Sequence, residues 1–328
     1  MPESPLTSKR IVLTGGAGFL GSVIRHRLLE RGVPEANIFV PRRKDFDLTT
    51  EDACRRLYGE AFPGRGVDVI IHGAAEVGGI GANRANPGRY FFANMAMALH
   101  LIERARVDGF VERGAKFVQV GTICAYPKFT PVPFREDELW NGYPEETNAP
   151  YGVAKKAAWQ MLDAYKLQYG MKSSYLLPVN LYGPHDNFDP ASSHVIPALI
   201  RKCVEAQRRG DAEIVCWGTG SASREFLYVD DCAEGVIRAA EVLDEPVPIN
   251  LGTGTEITVK DLVGVVARLC DFKGRITWDP TKPDGQPRRC LDTSRAQKLM
   301  GFKAKMGFEE GLRRTIESFR AAPGDAPA

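Results

Sequence analysis

Short apolar runs recur through the first half of the chain, and segments with apolar residues at helical spacing separate them. The runs lie at residues 11–13, 37–40, 67–72, 117–120 and 175–179. One long helix is predicted from about residue 87 to 107, and another from Pro150 until Gly170 offers a stop. Uninterrupted apolar strands are typical of a parallel sheet buried on both faces. The alternation therefore predicts an α/β fold with a doubly wound parallel sheet.

The second half of the chain loses this alternation, with loops and short helices expected after residue 180. We assign residues 1–180 to the sheet domain, with 226–252 returning to it, and residues 181–225 and 253–320 to a smaller, discontinuous α/β lobe. Ligands bind at the carboxyl edge of open α/β sheets, so we expect the lobe to fold over that edge. The first eight residues and the tail at 321–328 are predicted to be disordered.

Two helix starts are predicted in the second half. Asp230 or Asp231 is expected to cap a helix that runs through Leu243. Thr258 and Asp261 resemble a capping box, which would open another helix.

Length and composition exclude several classes of protein. The chain has 328 residues and a formal net charge of +2, which argues against a general nucleic-acid binder. No apolar run approaches the length of a membrane span, and the N-terminus lacks a charged-then-apolar signal segment. Seven cysteines without any Cys-x-x-Cys pair predict reduced thiols in a cytoplasmic protein, and no metal site is expected.

A glycine-rich turn separates the first apolar run from the helix that follows it. It reads Thr14-Gly15-Gly16-Ala17-Gly18-Phe19-Leu20-Gly21 and contains Gly-x-Gly-x-x-Gly. Glycine lets the backbone approach a pyrophosphate lying on the helix N-terminus, where a side chain would collide. The order of strand, glycines and helix is the context that this dinucleotide fingerprint requires, so we expect a Rossmann fold rather than a merely tight turn.

The end of the second strand indicates which dinucleotide is bound. An acid about there would hold the ribose hydroxyls of NAD, but Arg42, Arg43 and Lys44 stand in its place. Cations suit a 2′-phosphate, so we expect NADP, with NADPH as the hydride donor. Asp45 and Asp47 lie close enough that some use of NAD stays open.

Tyr151 and Lys155 are a candidate acid/base pair near the start of the helix from Pro150. Their spacing of four places both on one helix face. A phenol holds its proton up to about pH 10, and a nearby ammonium favours the phenolate and makes the proton transferable. The alternative is a surface tyrosine on an ordinary helix.

With Thr122 after the fourth apolar run, these features resemble an extended short-chain dehydrogenase/reductase. Longer motifs narrow the resemblance to the GDP-L-fucose synthases. They are Val77-Gly78-Gly79-Ile80, Cys124-Ala125-Tyr126-Pro127-Lys128, Asn180-Leu181-Tyr182-Gly183-Pro184-His185-Asp186-Asn187-Phe188, Ser193-His194-Val195-Ile196-Pro197 and Lys282-Pro283-Asp284-Gly285. Together the motifs cover nearly the whole chain.

The resemblance implies two reactions at one site. Such enzymes epimerise carbons 3 and 5 of GDP-4-keto-6-deoxy-D-mannose and then reduce the ketone at carbon 4 with NADPH. Tyr151 would be the proton donor, Lys155 would lower its pKa and hold the nicotinamide ribose, and Thr122 would bind the substrate oxygen. Cys124 and His194 match the base and the acid of the epimerisation; His72 and His185 are rival acids.

Further positions are implied as binding residues. For the cofactor they are the glycine turn from Gly15 to Gly21, Arg42, Arg43, Asp47, Leu48, Ala74, Ala75, Val120, Tyr151, Lys155, Pro178, Asn180, Leu181 and His194. For the GDP-sugar they are Cys124, Asn180, Val195, Lys202, Trp217, Arg224 and Asp284. Core packing is the alternative for Trp217, and pairing with Glu225 or Asp230 is the alternative for Arg224. Arg288 and Arg289 are plausible further phosphate contacts.

Other functions stay open at this stage. The nearest are a reductase for another GDP-4-keto-sugar, leading to GDP-colitose or a GDP-6-deoxyheptose, and a GDP-mannose 3,5-epimerase. A non-catalytic NADP-sensing scaffold is a third possibility, although such proteins usually lose the tyrosine or the lysine. The resemblance also implies a homodimer joined by a four-helix bundle that includes the Tyr151 helix.

Overall fold

The computed structural model describes residues 5–190, 192–282 and 284–321. Its strands are β1 (Ile11–Thr14), β2 (Ile38–Phe39), β3 (Val69–His72), β4 (Lys116–Val120), β5 (Lys172–Pro178), β6 (Asn180–Tyr182), β7 (Glu213–Trp217), β8 (Ser223–Tyr228), β9 (Pro248–Leu251), β10 (Glu256–Thr258) and β11 (Arg275–Asp279). Its α-helices are α1 (Phe19–Glu30), α2 (Glu51–Glu60), α3 (Ile80–Ala85), α4 (Pro87–Val107), α5 (Ala149–Tyr169), α6 (Val195–Arg209), α7 (Val229–Val242), α8 (Val259–Leu269), α9 (Ser294–Met300) and α10 (Phe308–Arg320).

The larger sheet has six parallel strands in the order β2-β1-β3-β4-β5-β9. The chain runs outward from β1 to β2 and then crosses to β3 on the other side of β1. This reversal of direction opens a crevice at the carboxyl ends of β1 and β3, where ligands bind in sheets of this kind. The predicted doubly wound parallel sheet is confirmed.

Residues after β5 build a second lobe with its own core. β8 lies between β6 and β10 in a three-stranded sheet, and β7 pairs with β11. Apolar residues of α6, α8 and α10 pack together beside these strands. The segment predicted as loops and short helices contains the 15-residue helix α6. Its buried stripe, Ile196, Ile200 and Val204, follows helical spacing.

The assigned domain boundaries cut through β8. α7 packs against α1 and β9 pairs with β5, so these elements lie with the large sheet. Residues 226–228, however, belong to β8 and therefore to the small sheet. β6 follows β5 after one residue and leads the chain out of the large sheet, and β8 pairs with β6 rather than with β5.

Of the two predicted helix starts, one is confirmed and one is wrong. Asp261 donates its backbone N–H to Thr258 Oγ1 at 3.0 Å, which confirms the cap of α8. Capping of α7 by Asp230 or Asp231 is wrong, because the helix begins earlier, after Tyr228, without a side-chain cap. Asp230 instead accepts from Arg27 at 2.6 Å, and both carboxylates lie in the first turn, where the helix dipole favours anions.

The N-terminus also differs from its prediction. Residues 5–8 form a turn, and the Leu6 side chain is buried in the core of the large sheet. Disorder over the first eight residues is therefore wrong from residue 5 onward, because an apolar side chain anchors this segment. The predicted tail lies outside the described residues after Ala321.

Candidate active site

The glycine turn between β1 and α1 has no room for side chains. Gly15 has φ +73°, and a Cβ on it would lie 2.8 Å from the backbone N of Ala74. A Cβ on Gly21 would lie 2.1 Å from the carbonyl oxygen of Gly15. α1 therefore begins directly against the turn and points its free N–H groups at the crevice. Such a cradle fits a dinucleotide pyrophosphate.

Other residues assigned to the cofactor border this cradle. The Val40 side chain, just past β2, lies against Gly16: a Cβ on that glycine would be 2.8 Å from it. Arg42 and Arg43 follow Val40 and therefore lie beside the glycine turn. Both arginines are exposed, and Arg43 forms an ion pair with Glu76 at 2.8 Å. Ala74 and Ala75 follow β3, where the Ala74 N–H donates to Thr14 Oγ1 at 3.3 Å.

Asp47 and Leu48 have local roles in the structure. The Asp47 carboxylate accepts from the backbone N–H and the hydroxyl of Thr49, at 3.1 and 2.7 Å. These bonds and the charge of Arg43 lower the pKa of Asp47. The Leu48 side chain is buried in the core beside α2. The Leu48 side chain therefore serves the core, whereas Asp47 is exposed and engages Thr49 through Oδ1.

Tyr151 and Lys155 lie on the buried face of α5, against the end of β4. The Lys155 Nζ donates to the Val120 carbonyl at 3.2 Å and lies 6.0 Å from the centre of the Tyr151 ring. Burial lowers the pKa of Lys155 to about 8, because loss of water disfavours the ammonium. Burial raises the pKa of Tyr151 well above its usual value, while a hydrogen bond with Thr122 opposes this shift.

The expected direction of the Tyr151 pKa shift is therefore wrong in this structure. The sequence argument counted the charge of Lys155 but not the loss of water around the phenol. Desolvation is the larger effect, because it disfavours the anion whichever neighbours are present. The raised pKa makes Tyr151 a weaker acid than an exposed phenol, and like any phenol it is protonated near neutrality.

Cys124 lies beside this pair on the turn that follows β4. Its backbone N–H donates to Thr122 Oγ1 at 3.2 Å, which fixes the turn. The sulfur is half-buried, whereas the other six cysteines are buried. A charge on Cys124 would raise the pKa of Tyr151, so the two groups face each other. Thr122, Cys124 and Tyr151 are thus brought together.

Gly152 makes this close approach possible, and the sequence analysis missed it. A Cβ at this position would lie 2.2 Å from the Cys124 carbonyl oxygen. α5 can therefore press its first turn directly against the Cys124 turn. A glycine inside a predicted first turn, next to a candidate tyrosine, was the available signal.

His194 is the residue before α6, in the second lobe. The segment before His194 contacts the loop that follows β3, where the Gly79 N–H donates to the Ser192 carbonyl at 3.3 Å. That loop continues into α3, from which Asn83 donates to Asn148 Oδ1 at 3.3 Å, just before α5. The residue is partly exposed, yet burial of the imidazole lowers its pKa. Among the described residues, no hydrogen bond joins His194 directly to Cys124 or Tyr151.

The two rival histidines have different surroundings. His72 is buried, with Nδ1 2.7 Å from Thr14 Oγ1. Burial and the charge of Lys155 lower its pKa well below the usual value, so it stays neutral and is a poor acid. His185 is exposed, with φ +64°, and its backbone N–H donates to Ser318 of α10.

All of the residues assigned to the GDP-sugar except Cys124 lie on the second lobe. Trp217 is 67 % exposed, with Lys282 Nζ 5.6 Å above its ring, so core packing is wrong for it. The Lys202 Nζ donates to the Val215 carbonyl on the neighbouring strand at 2.5 Å. The Asp284 carboxylate accepts from the backbone N–H and hydroxyl of Thr219, at 2.7 and 2.8 Å, and so holds the turn after Trp217.

Arg224 does not pair with either of the carboxylates considered as alternatives. Glu225 accepts backbone N–H groups, among them those of Gly254 at 2.8 Å and Leu291 at 2.6 Å. Asp230 pairs with Arg27. Arg224 donates to the carbonyls of Ser223 and Asp284, at 2.7 and 3.0 Å. The charges of Asp284 and Glu145 act on it, but among the described residues neither carboxylate forms an ion pair with it.

The remaining assigned residues line the junction of the two lobes. Pro178 ends β5 opposite Leu251 of β9. Asn180 donates to the Glu225 carbonyl at 2.9 Å, and Leu181 packs on the core of the large sheet. Val195, the first residue of α6, packs on the core of the second lobe.

The arrangement is capable of acid/base chemistry on a carbonyl compound beside a dinucleotide. Two hydroxyls, those of Thr122 and Tyr151, can polarise one oxygen, and the Cys124 thiol lies next to them.

In the described part of the chain, no cluster of three or more His, Cys, Asp or Glu side chains could hold a metal ion. No helix within those residues is long and apolar enough to cross a membrane.

Comparisons with known proteins agree with this geometry. The model of the NAD dependent epimerase/dehydratase family matches residues 11–252. Probable GDP-L-fucose synthase 1 of Oryza sativa subsp. japonica is 39% identical over 95% of this chain and 91% of its own length. GDP-L-fucose synthase of Escherichia coli (strain K12) is 37% identical over 96% and 97%. A crystal structure of a GDP-L-fucose synthetase from Naegleria fowleri superposes with a TM-score of 0.83 at 26% identity, over 97% of this chain and 96% of that one. The chain therefore belongs to the NAD dependent epimerase/dehydratase family, in the group of the GDP-L-fucose synthases.

Proposed function

We propose that the chain is a bifunctional, NADPH-dependent 3,5-epimerase and 4-reductase that converts GDP-4-keto-6-deoxy-D-mannose to GDP-L-fucose. The observation that carries the proposal is the position of Cys124. It faces Tyr151 and shares a turn with Thr122, so a proton acceptor lies beside the two hydroxyls that bind a carbonyl oxygen. A reductase alone needs the hydroxyls and has no use for the thiol.

Epimerisation comes first in this account. Carbons 3 and 5 flank the ketone, so their protons become acidic once Thr122 and Tyr151 polarise its oxygen. Cys124 removes a proton from one face of the sugar, and His194 returns one to the opposite face. Cys124 belongs to the large-sheet domain and His194 to the second lobe, which suits proton transfer at opposite faces of the sugar.

Reduction then uses the same oxygen site. NADPH, when bound in the glycine cradle, supplies the hydride that reaches carbon 4. Tyr151, which is protonated near neutrality, donates its proton to the oxygen. The Lys155 ammonium then stabilises the tyrosinate that remains.

Arg43→Ala is expected to raise the apparent Michaelis constant for NADPH about tenfold and to leave that for NADH nearly unchanged. Only NADPH carries the 2′-phosphate that Arg42 and Arg43 would hold. Steady-state kinetics with both cofactors measure the difference.

The matched control for Arg43 is Arg89→Ala. Arg89 pairs with the same carboxylate, Glu76, at 2.6 Å, but it lies on α4 rather than after β2. It should change neither constant. Equal effects of Arg43→Ala on both cofactors would count against the phosphate contact.

The GDP moiety binds on the second lobe in this proposal. The Arg224 guanidinium, which forms no ion pair with a carboxylate among the described residues, suits the diphosphate, and the exposed Trp217 ring offers a face for stacking. Asp284 acts indirectly: its carboxylate holds the turn that carries Trp217, and its backbone carbonyl accepts from Arg224.

The chain is proposed to act as a homodimer in the cytoplasm. α4 and α5 pack side by side, and their outer faces expose Phe92 and Leu99 on one helix and Leu167 on the other. A second copy of this pair would cover these side chains in a four-helix bundle. Sedimentation velocity should show a dimer; a monomer at micromolar concentration would refute the proposed dimer.

All seven cysteines are free thiols, which suits a reducing compartment such as the cytoplasm.

The test of the activity is incubation of the purified protein with GDP-4-keto-6-deoxy-D-mannose and NADPH. Oxidation of NADPH with formation of GDP-L-fucose is expected. Absence of NADPH oxidation would refute the reductase, and GDP-D-rhamnose as the product would refute the epimerase.

A further inference from the structure

Arg289 reaches from the second lobe to the sulfur of Cys124. Its guanidinium Nη1 lies 3.8 Å from Cys124 Sγ, within the reach of an N–H···S hydrogen bond. The side chain is 9 % exposed, and its Nε donates to Gln286 Oε1 at 2.8 Å. Gln286 in turn donates to the Lys128 carbonyl at 2.8 Å. Since Lys128 belongs to the same loop as Cys124, the arginine is locked onto that loop.

No carboxylate within the described ranges forms an ion pair with Arg289. Its neighbour Arg288 is different, because it pairs with Glu256 at the surface. Glu145 is an acid on which Arg289 acts, and its carboxylate is held by Thr147 and Asn148 at 2.6 Å each. The positive charge of Arg289 is among the effects that lower the pKa of Glu145.

A second guanidinium adds positive charge around the sulfur. Burial and repulsion from Arg289 lower the pKa of Arg224 to about 10, and a charge on Cys124 would act in the opposite direction. Among the described residues, the charged and titratable groups around Cys124 include Arg289 and Arg224 from the second lobe, Tyr151 from α5, and Glu145, whose charge acts on both guanidinium groups. Two guanidinium groups therefore lie near the half-buried Cys124.

We propose that Arg289 is the positioning residue for Cys124: it orients the sulfur and stabilises the thiolate that accepts a proton from the sugar carbon. The inference rests on the proposed role of Cys124 as the epimerase base. This role of Arg289 requires both lobes, because Cys124 lies in the large-sheet domain and Arg289 lies 165 residues later, in the second lobe.

The test is the pH dependence of alkylation of Cys124 by iodoacetamide, without cofactor or substrate. Peptide mass spectrometry follows Cys124 separately from the six buried cysteines. Arg289→Gln should move the midpoint of the rate profile upward by about one pH unit, as expected when a cation within about 4–6 Å is removed. Arg289→Lys should recover at least half of that shift. The midpoint is used rather than the rate, because a smaller side chain also opens access to the sulfur.

Arg288→Gln is the matched control, and its midpoint should equal that of the wild type. An unchanged midpoint in Arg289→Gln with native circular dichroism would overturn the proposal, and so would an equal shift in Arg288→Gln. If Arg289→Gln fails to fold, Glu145→Gln decides: removing that negative charge should move the midpoint downward, and no downward movement would overturn the proposal. None of these outcomes depends on the reaction with the GDP-sugar, so failure here and failure of the proposed activity remain distinguishable.

Discussion

Cys124→Ser is expected to slow solvent-deuterium exchange at carbons 3 and 5 of the keto-sugar by a factor of about 10²–10⁴, the usual contribution of a general base. A serine hydroxyl is far too weak an acid to give the anion that removes these protons. Tyr151→Phe should slow exchange far less, because Thr122 still donates to the ketone oxygen. Mass spectrometry of substrate incubated in D₂O without NADPH measures the exchange.

The control for this variant is Cys290→Ser, which removes a buried thiol close to Glu225 in the second lobe. Its exchange should match that of the wild type. Equal exchange in Cys124→Ser and the wild type would refute Cys124 as the base.

Tyr151→Phe is expected to lower the rate constant of NADPH oxidation by a factor of about 10²–10⁴, since the alkoxide at carbon 4 loses its proton donor. Phenylalanine keeps the ring and its packing in the first turn of α5, so the fold should be preserved. Stopped-flow absorbance of NADPH, started with the keto-sugar, measures the rate.

Tyr175→Phe is the matched control. Its hydroxyl is also buried and donates to the Lys155 backbone carbonyl at 3.0 Å, but it does not face Cys124 or Thr122. Its rate should stay within about threefold of the wild type. An undiminished rate in Tyr151→Phe would mean that another group protonates the alkoxide.

The large sheet could be predicted because its signals are local. The apolar runs mark the strands, and the glycine turn stands between β1 and α1. α5 ends at Gly170 as expected, with φ +73° at that residue. These features depend on backbone conformation and on burial of neighbouring residues, which a short window of sequence reveals.

The second lobe could be predicted less well, because its elements depend on distant partners. Arg224 and Glu225 interrupt the apolar pattern of β8, and this strand is held by β6 and β10. Glu225 is fully buried only because residues near 253 and 291 donate backbone N–H groups to it. Such compensation arises from tertiary structure and leaves no periodic signal.

The candidate site also has a part that local sequence predicts and a part that depends on tertiary structure. Tyr151, Lys155 and the glycine turn follow from motif and spacing. The contact between Arg289 and Cys124, the approach that Gly152 permits and the raised pKa of Tyr151 all require knowledge of what lies nearby in space. Spacing indicates which groups share a helix face, but it does not reveal how much water they retain.

The central claim is that one site first inverts carbons 3 and 5 and then reduces carbon 4. The most direct test is the complete reaction of the wild-type protein in D₂O with NADPH and GDP-4-keto-6-deoxy-D-mannose, with the product examined by NMR. The account predicts GDP-L-fucose with deuterium at carbons 3 and 5 and with hydrogen from NADPH at carbon 4. A reduced sugar of unchanged configuration, without deuterium at carbons 3 and 5, would contradict it.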